Sequence, residues 1–234
     1  MIDVTDLTYY EKGTPVLDSV TFRLYNGKMY GITGAGSEAL LAILAGSLDF
    51  SRGRVNLNGF DLRTEPKKAR RGGGYLPADP CFCEESCPIE LLSTVGALRG
   101  LSDRQLVREV NAMLEATELE EVKDCAIRWL TSAQKRRLWL AQAMIGGTDR
   151  LFLSGSAIGS DRAQAQEFFA LLQDLRGERT VLIATEDENT LNQCDAILKI
   201  ENGKVLFVEQ ERQVSESEEC PTDPASETGR ENAQ

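Results

Sequence analysis

A glycine-rich segment between two apolar stretches is the part of this sequence best suited to chemistry. Residues 29–33 have the length and apolarity of a buried strand, and Gly34, Ala35 and Gly36 follow directly. Residues 40–48 are apolar on one face of a predicted helix. A strand, a glycine turn and a helix form the layout of a phosphate-binding loop, in which backbone N–H groups face the anion. The sequence therefore predicts such a loop here.

A cluster of thiols at Cys81, Cys83 and Cys87 is a second chemical candidate. Thiolates can hold a metal ion, but no regular CxxC pair accompanies these three and the chain contains 0 histidines. A cytosolic chain also keeps its thiols reduced, which argues against a disulfide framework. We therefore expect no metal site and interpret the three residues as buried or loop thiols.

The elements around these residues alternate between strand and helix patterns. Further buried strands are predicted at residues 74–77, 151–153, 181–184 and 196–200, and helices at residues 130–145 and 163–175. This alternation predicts an α/β fold with a mostly parallel central sheet. An amphipathic helical stretch over residues 81–126 interrupts the alternation. It predicts a helical lobe that reaches, with the helix that follows, from about residue 81 to 145.

Charge and hydropathy exclude several classes of function. The net charge of −11 argues against a nucleic-acid partner, because binding to a phosphate backbone requires a basic face. No apolar run approaches the roughly 20 residues that cross a bilayer. The N-terminus lacks the basic and then apolar layout of a secretory signal. We therefore expect a cytoplasmic chain whose membrane contact comes through a partner.

The last part of the chain differs in composition from the rest. From Glu209 onward, 8 acidic residues stand against Arg212 and Arg230, among many Ser, Thr, Pro and Asn residues. Such a segment cannot bury enough apolar surface to offset the entropy of ordering it. We predict a folded domain over residues 1–208 and an acidic disordered tail over residues 209–234, dispensable for folding.

The order of these segments resembles the nucleotide-binding domain of ABC transporters from about residue 1 to 208. The resemblance rests on seven altered motifs in the order and spacing of the family. It implies a P-loop NTPase-like ABC cassette with a mostly parallel central sheet, an N-terminal antiparallel β-subdomain and an inserted α-helical lobe. Tyr10 best matches the aromatic residue that stacks on adenine, with Tyr9 second; an exposed edge-strand tyrosine explains Tyr10 equally well.

The phosphate loop departs from the family pattern GxxGxGKST. In YGITGAGSEALLAILAG the loop is about three residues shorter. Ser37 stands at the lysine position, Glu38 at that of the magnesium-binding hydroxyl and Ala39 at the next. Each lost charge-assisted bond costs roughly 1.5–3 kcal/mol. Two such losses weaken ATP binding by about 10²–10⁴-fold.

The other positions that serve nucleotide chemistry in the family are also altered. Ala78 replaces the glutamine that contacts magnesium, and Glu186 replaces the histidine that contacts the γ-phosphate. Ser154 and Gly155 replace the aspartate and glutamate that end an apolar strand, so no general base remains. The resemblance thus implies a chain without catalytic residues and without a required cofactor. Binding of ATP and magnesium would be weak.

The signature segment of the family, LSGGQ, aligns with Leu130, Thr131, Ser132, Ala133 and Gln134. Two glycines are replaced there, and the added Cβ atoms would crowd the γ-phosphate seat. A helix N-terminus with hydroxyl groups can still hold an anion weakly. A capped amphipathic helix explains Thr131 and Ser132 equally well.

The resemblance also implies partners. We expect an integral membrane permease, a homo- or heterodimer with another cassette through Asp161, and a peripheral position on the inner face of the cell membrane. Phe82 and Ile89 are the predicted docking residues, although such side chains often only anchor a loop to its own domain. The leading hypothesis is a catalytically inactive transporter subunit. The alternatives are a free-standing regulatory or scaffold module and an active ATPase with unusual residues.

Overall fold

Ten strands form two sheets in the computed structural model, which describes residues 1–81, 83–158, 162–173 and 179–209. The first sheet is antiparallel, in the order β2-β1-β4-β5. Its strands are β1 (Ile2–Glu11), β2 (Thr14–Leu24), β4 (Arg52–Leu57) and β5 (Phe60–Asp61).

The second sheet has six strands in the order β10-β9-β3-β8-β7-β6, and only β10 runs antiparallel to its neighbour. These strands are β3 (Met29–Gly34), β6 (Gly73–Leu76), β7 (Arg150–Ser154), β8 (Thr180–Ala184), β9 (Ala196–Glu201) and β10 (Lys204–Glu209). The predicted α/β fold with a mostly parallel central sheet and a separate N-terminal antiparallel sheet is confirmed.

Eight α-helices and two short 3-10 helices connect the strands in the described ranges. The helices are α1 (Ser37–Leu44), α2 (Pro66–Arg70), α3 (Pro88–Leu98), α4 (Asp103–Ala116), α5 (Ser132–Met144), α6 (Gly155–Ile158), α7 (Arg162–Gln173) and α8 (Glu188–Leu191). The 3-10 helices are Glu120–Val122 and Ile127–Trp129. Among the described residues, none of these helices combines the length and apolarity needed to cross a membrane.

Alternate residues of the central strands enter two different cores. Ile32 and Leu182 belong to the core shared with α1 and the antiparallel sheet. Met29 and Val181 belong to the core on the other face, which includes side chains of α5 and α7. Both faces are covered, so the strands are apolar throughout rather than alternating with polar residues. This explains why their sequences read as short buried runs.

Helices α3, α4 and α5 build the helical lobe around a third apolar core, which includes Leu92, Val110 and Leu138. Helix α5 also supplies Leu140 and Met144 to the core beneath the central sheet. It therefore joins the lobe to the sheet.

The lobe's first helix begins later than the sequence pattern predicts. Helix α3 starts at Pro88, so the described residues 81 and 83–87 are not helical. Proline is favoured at the first helical position, and Cys87 forms a capping box with Glu90. This start signal outweighs the apolar periodicity of the residues before it.

Two neighbouring glycines in β6 allow a direct test of how α5 is anchored. A Cβ atom added at Gly74 would overlap the backbone carbonyl oxygen of Ala143 in α5 and lie 2.9 Å from a methyl carbon of Leu151. We expect Gly74→Ala to lower the free energy of unfolding by roughly 1–3 kcal/mol, as overpacking usually does. Urea denaturation measures this change.

Gly73→Ala is the matched control. Its added Cβ would meet the carbonyl oxygen of Arg70 only at 3.2 Å, so a smaller loss is expected. Equal losses in the two variants would contradict the proposed tight packing of α5 on β6.

Candidate functional site

The candidate site lies where three neighbouring parallel strands end. In the sheet register, Ile32 of β3 and Ser154 of β7 both pair with Ala184 of β8. The loops that follow these strands therefore meet at one edge of the sheet. Ligands of open α/β sheets bind at this carboxyl edge.

The loop after β3 depends on two glycines. Gly34 and Gly36 have φ angles of +95° and +102°, a region that residues with a side chain seldom adopt. A Cβ atom on Gly34 would also overlap the carbonyl oxygen of Ile200, and one on Gly36 would lie 2.7 Å from the Cγ1 atom of Val16. Gly36 is the N-cap of α1 and has no side chain to cap it. The glycines thus let the loop turn tightly against the strand neighbours.

The first carboxylate at this edge, that of Glu186, sits directly on the loop. The Thr33 hydroxyl donates a hydrogen bond of 2.8 Å to its Oε2 atom, and the backbone N–H of Gly34 donates one of 2.7 Å to its Oε1 atom. Both oxygens of Glu186 are therefore engaged by the end of β3. The site that would bind an anion contains an anionic side chain of the chain itself.

The second carboxylate, that of Glu38, lies at the start of α1. The hydroxyl of the fully buried Ser154 donates a hydrogen bond of 2.6 Å to its Oε1 atom. Ser156 extends this chain, since its hydroxyl lies 2.9 Å from that of Ser154 and 3.4 Å from the carbonyl oxygen of Ala78. These contacts link α1, β7, α6 and the loop after β6. Sequence reasoning missed Ser156, although it is a polar residue just beyond a buried strand.

Electrostatics at the site disfavour a further anion. Burial raises the pKa of the Glu38 carboxyl above its usual value, and the hydrogen bond from Ser154 offsets that rise only in part. Within the described ranges, neither Glu38 nor Glu186 forms an ion pair with a lysine or arginine. Ser37, which the resemblance places at the position of the family lysine, is buried and uncharged. In the described part of the chain, a phosphate group would thus approach two carboxylates that have no cation paired with them.

The strand end that would carry a general base is tightly packed. Gly155 follows Ser154 at the start of α6. A Cβ atom there would lie 2.7 Å from the carbonyl oxygen of Ala184 and 2.7 Å from the Cβ atom of Thr185. Real Cβ atoms essentially never come this close to other heavy atoms. A glutamate at this position would therefore require Ala184, Thr185 or the backbone of Gly155 to shift.

Some predicted site residues lie outside this cluster. Tyr10, near the end of β1, is 48% exposed, whereas Tyr9 packs partly against the main core. This exposure fits both the adenine-stacking role and the edge-strand alternative. Ala35 is exposed and Ala39 is half-buried beside the loop glycines.

The signature segment forms the start of α5. The Thr131 hydroxyl accepts a hydrogen bond of 3.2 Å from the backbone N–H of Gln134, whose Oε1 atom accepts one of 2.9 Å from the N–H of Thr131. This capping box accounts for two of the five residues by helix stability alone. Leu130 is buried in the lobe, Ser132 is exposed and Ala133 is half-buried. The anion-binding role of this segment stays a prediction.

The predicted partner residues are described only in part. Phe82 and Asp161 lie outside the described residues, as do residues 210–234 of the predicted tail; Glu209 ends β10. Ile89 is half-buried and packs against the lobe core, and its N–H donates to the carbonyl oxygen of Lys123 at 3.1 Å. It therefore serves at least partly as an anchor within its own lobe.

The thiol cluster is spread along the loop before α3. Cys81 and Cys83 are exposed, and Cys87 is half-buried at the N-cap of α3, where burial raises the pKa of its thiol. Over the part of the chain that the structure describes, no group of three or more His, Cys, Asp or Glu side chains is placed to hold a metal ion.

Known proteins with similar sequences belong to one family. A profile of the family described as ABC transporter matches residues 17–153. The uncharacterized ABC transporter ATP-binding protein YxlF of Bacillus subtilis (strain 168) is 28% identical over 211 residues, which are 88% of this chain and 70% of YxlF. The phospholipid-transporting ATPase ABCA3 of Mus musculus is 28% identical over 169 residues, 71% of this chain. The aligned region is only 10% of the length of ABCA3, so this chain spans a small part of that relative.

Solved structures show the same fold. The ATP-binding subunit of an ABC transporter superposes with a TM-score of 0.78 at 21% identity, covering 89% of this chain and 90% of the other. CbiO1 from Clostridium perfringens, part of the ABC transporter complex cbiONQ, gives a TM-score of 0.76 at 25% identity. The superposition covers 89% of this chain and 88% of the CbiO1 chain.

The raised pKa of Glu38 makes stability depend on pH in a defined direction. Folding favours the protonated carboxyl, so its contribution is fully present below the unfolded pKa and is lost as pH rises through the folded pKa. We expect Glu38→Gln to raise the melting temperature at about pH 7.5 and to give almost no gain at about pH 4. The gain will be small, because Glu38 as a residue is exposed.

Thermal denaturation across this pH range measures the effect. Glu115→Gln, at an exposed position of α4, is the control for removing a negative charge from an acidic protein. A gain that is equal in both variants, or one that grows as the pH falls, would contradict the assignment to Glu38.

Proposed function

This chain belongs to the ABC transporter family as an ATP-binding domain, and we propose that it is a subunit that docks on a membrane permease without hydrolysing ATP. It pairs with another cassette on the inner face of the cell membrane. In this proposal, transport energy comes from the partner cassette, and this chain supplies the matching half of the pair.

The observation that carries the proposal is the hydrogen bond between Glu38 and Ser154. By the family resemblance, these two positions supply the hydroxyl and the carboxylate that hold magnesium. Here the carboxylate and the hydroxyl have exchanged places, and each satisfies the other at 2.6 Å. Since Ser154 is fully buried, its hydroxyl has its main partner within the chain. The arrangement supports a structural role for this pair in place of metal binding.

The chemistry of hydrolysis needs a group that polarises the attacking water, usually a carboxylate. The resemblance assigns this role to the position of Gly155, which has no side chain and where an added Cβ atom would lie only 2.7 Å from its neighbours. A lysine for the β- and γ-phosphates is also missing at Ser37. These features support a cassette whose fold persists while its catalytic step is lost, since fold and function can separate.

Docking is the remaining activity that the fold can supply. The cbiO1 protein, which has a similar fold, is part of a transporter complex, and we propose an equivalent association with an integral membrane permease for this chain. The proposed contact surface is the segment before α3 together with the first turn of α3, with Phe82 and Ile89 as its apolar residues. Large apolar side chains near the centre of a contact patch contribute most to binding.

A free-standing regulatory or scaffold module is the second candidate function. It would share the inactive site but would not associate with an integral membrane protein. Isolating the chain from solubilised native membranes separates the two candidates. Enrichment of one polytopic membrane protein together with a second cassette supports the transporter subunit.

The purified chain should show no ATPase activity above background. By the resemblance, Ser37 stands in place of the lysine, Gly155 in place of the general base and Ser154 in place of the metal-binding carboxylate. ATP binding, measured by calorimetry with and without magnesium, should be millimolar or weaker and should not require the metal. Turnover that survives repurification and disappears in a Ser37→Ala variant would contradict the proposal. So would micromolar binding that depends on magnesium.

Phe82→Ala and Ile89→Glu should each reduce co-purification with the permease several-fold, since each removes an apolar contact at the proposed surface. The matched control is Leu98→Ala at the far end of α3, where the side chain is 83% exposed. Melting temperatures of all three variants are measured in parallel. Unchanged co-purification of the first two variants, or losses that simply follow lost stability, would rule out this surface.

A further inference from the structure

The carboxylate of Glu186 occupies two hydrogen-bond donors at the end of β3. Its two carboxylate oxygens accept hydrogen bonds of 2.8 Å from the Thr33 hydroxyl and 2.7 Å from the Gly34 backbone N–H. Lengths of this kind are typical of charge-assisted hydrogen bonds. Two donors at the end of a strand that leads into a glycine turn are the kind of group that otherwise faces a phosphate oxygen.

The backbone on both sides of Glu186 is held in place. The N–H of Thr185 donates to the carbonyl oxygen of Ile32 at 2.9 Å, which continues the pairing of β8 with β3. On the other side, the carboxylate of Asp187 caps α8 by accepting from the N–H of Thr190 at 2.8 Å. Glu186 is thus presented to the loop by a segment that is fixed at both of its neighbours.

Such an arrangement gives an internal carboxylate an advantage over any anion from solution. Its association is intramolecular, so its effective concentration reaches at least the millimolar range set by a short tether. Little further ordering is needed because Thr185 and Asp187 are already held, and preorganisation lowers the cost of binding. An external phosphate would have to displace this carboxylate and then remain beside its negative charge.

We propose that Glu186 is an internal ligand of the phosphate loop, an autoinhibitory contact that holds the loop in position and keeps external anions out. The inference rests on the proposed function, in which this loop carries no catalytic nucleotide. It adds that the loop remains ordered because the chain's own carboxylate takes the place of a phosphate. Removing the carboxylate should therefore both destabilise the loop and open the two donors to an external anion.

The test compares Glu186→Ala with the wild-type chain, using pyrophosphate and acetate as probes. Without a probe, Glu186→Ala should melt several degrees lower. Pyrophosphate should bind this variant at least about tenfold more tightly than the wild type, a difference of about 1.4 kcal/mol. Acetate, compared with chloride at equal ionic strength, should restore part of the lost melting temperature in this variant alone, because it replaces the missing carboxylate.

Glu188→Ala is the matched control. Glu188 is exposed in the first turn of α8, and its replacement removes the same charge two residues away from Glu186. Thr33→Val, which removes only one of the two donors, is the second variant if Glu186→Ala does not fold. It should lower the melting temperature by a smaller amount, and acetate should not restore it.

Wild-type stability of Glu186→Ala, or pyrophosphate affinity no higher than in Glu188→Ala, would overturn the inference. For the second variant, a melting temperature equal to that of the wild type would do the same. These outcomes leave the proposed function standing, because the chain would still lack the groups for hydrolysis. ATPase activity in the wild type would instead contradict the proposed function without changing any of these readings.

Discussion

Two carboxylates must be stabilised at one edge of the central sheet, where neither forms an ion pair with a lysine or arginine among the described residues, and the site is organised around this constraint. Glu186 is held by the Thr33 hydroxyl and the Gly34 N–H, and Glu38 by the hydroxyl of Ser154. Desolvation raises the pKa of the Glu38 carboxyl, and the neutral hydroxyl of Ser154 offsets that rise only in part. Both carboxylates therefore have hydrogen-bond donors within the chain, but the charge at this edge of the sheet remains negative.

These contacts also tie together segments that are distant in the sequence. Glu38 and Ser154 join α1 to β7, and Ser156 reaches the loop after β6 through the carbonyl oxygen of Ala78. Hydroxyl and carboxylate groups of the chain itself therefore link these segments at the carboxyl edge of the sheet.

The fold could be predicted from the sequence because its strands are short apolar runs that alternate with helical patterns. The site could be predicted only as a list of positions. The family resemblance singled out Glu38, Ser154 and Glu186 as single positions. The pairing of Glu38 with Ser154 depends on sheet register, and the position of Glu186 depends on how the β8–α8 turn approaches β3. The start of α3 was misplaced because Pro88 and the cap at Cys87 outweighed apolar periodicity.

Packing around Gly155 connects the end of β7 to the segment that carries Glu186. A side chain there would collide with the carbonyl oxygen of Ala184 and with Thr185, and Thr185 is the residue that precedes Glu186. The β8–α8 turn that brings Glu186 to the loop is thus the same turn that closes the space beside Gly155. A side chain at position 155 would therefore require a shift in this packing. The space beside Gly155 and the contacts of Glu186 with Thr33 and Gly34 therefore involve one short segment.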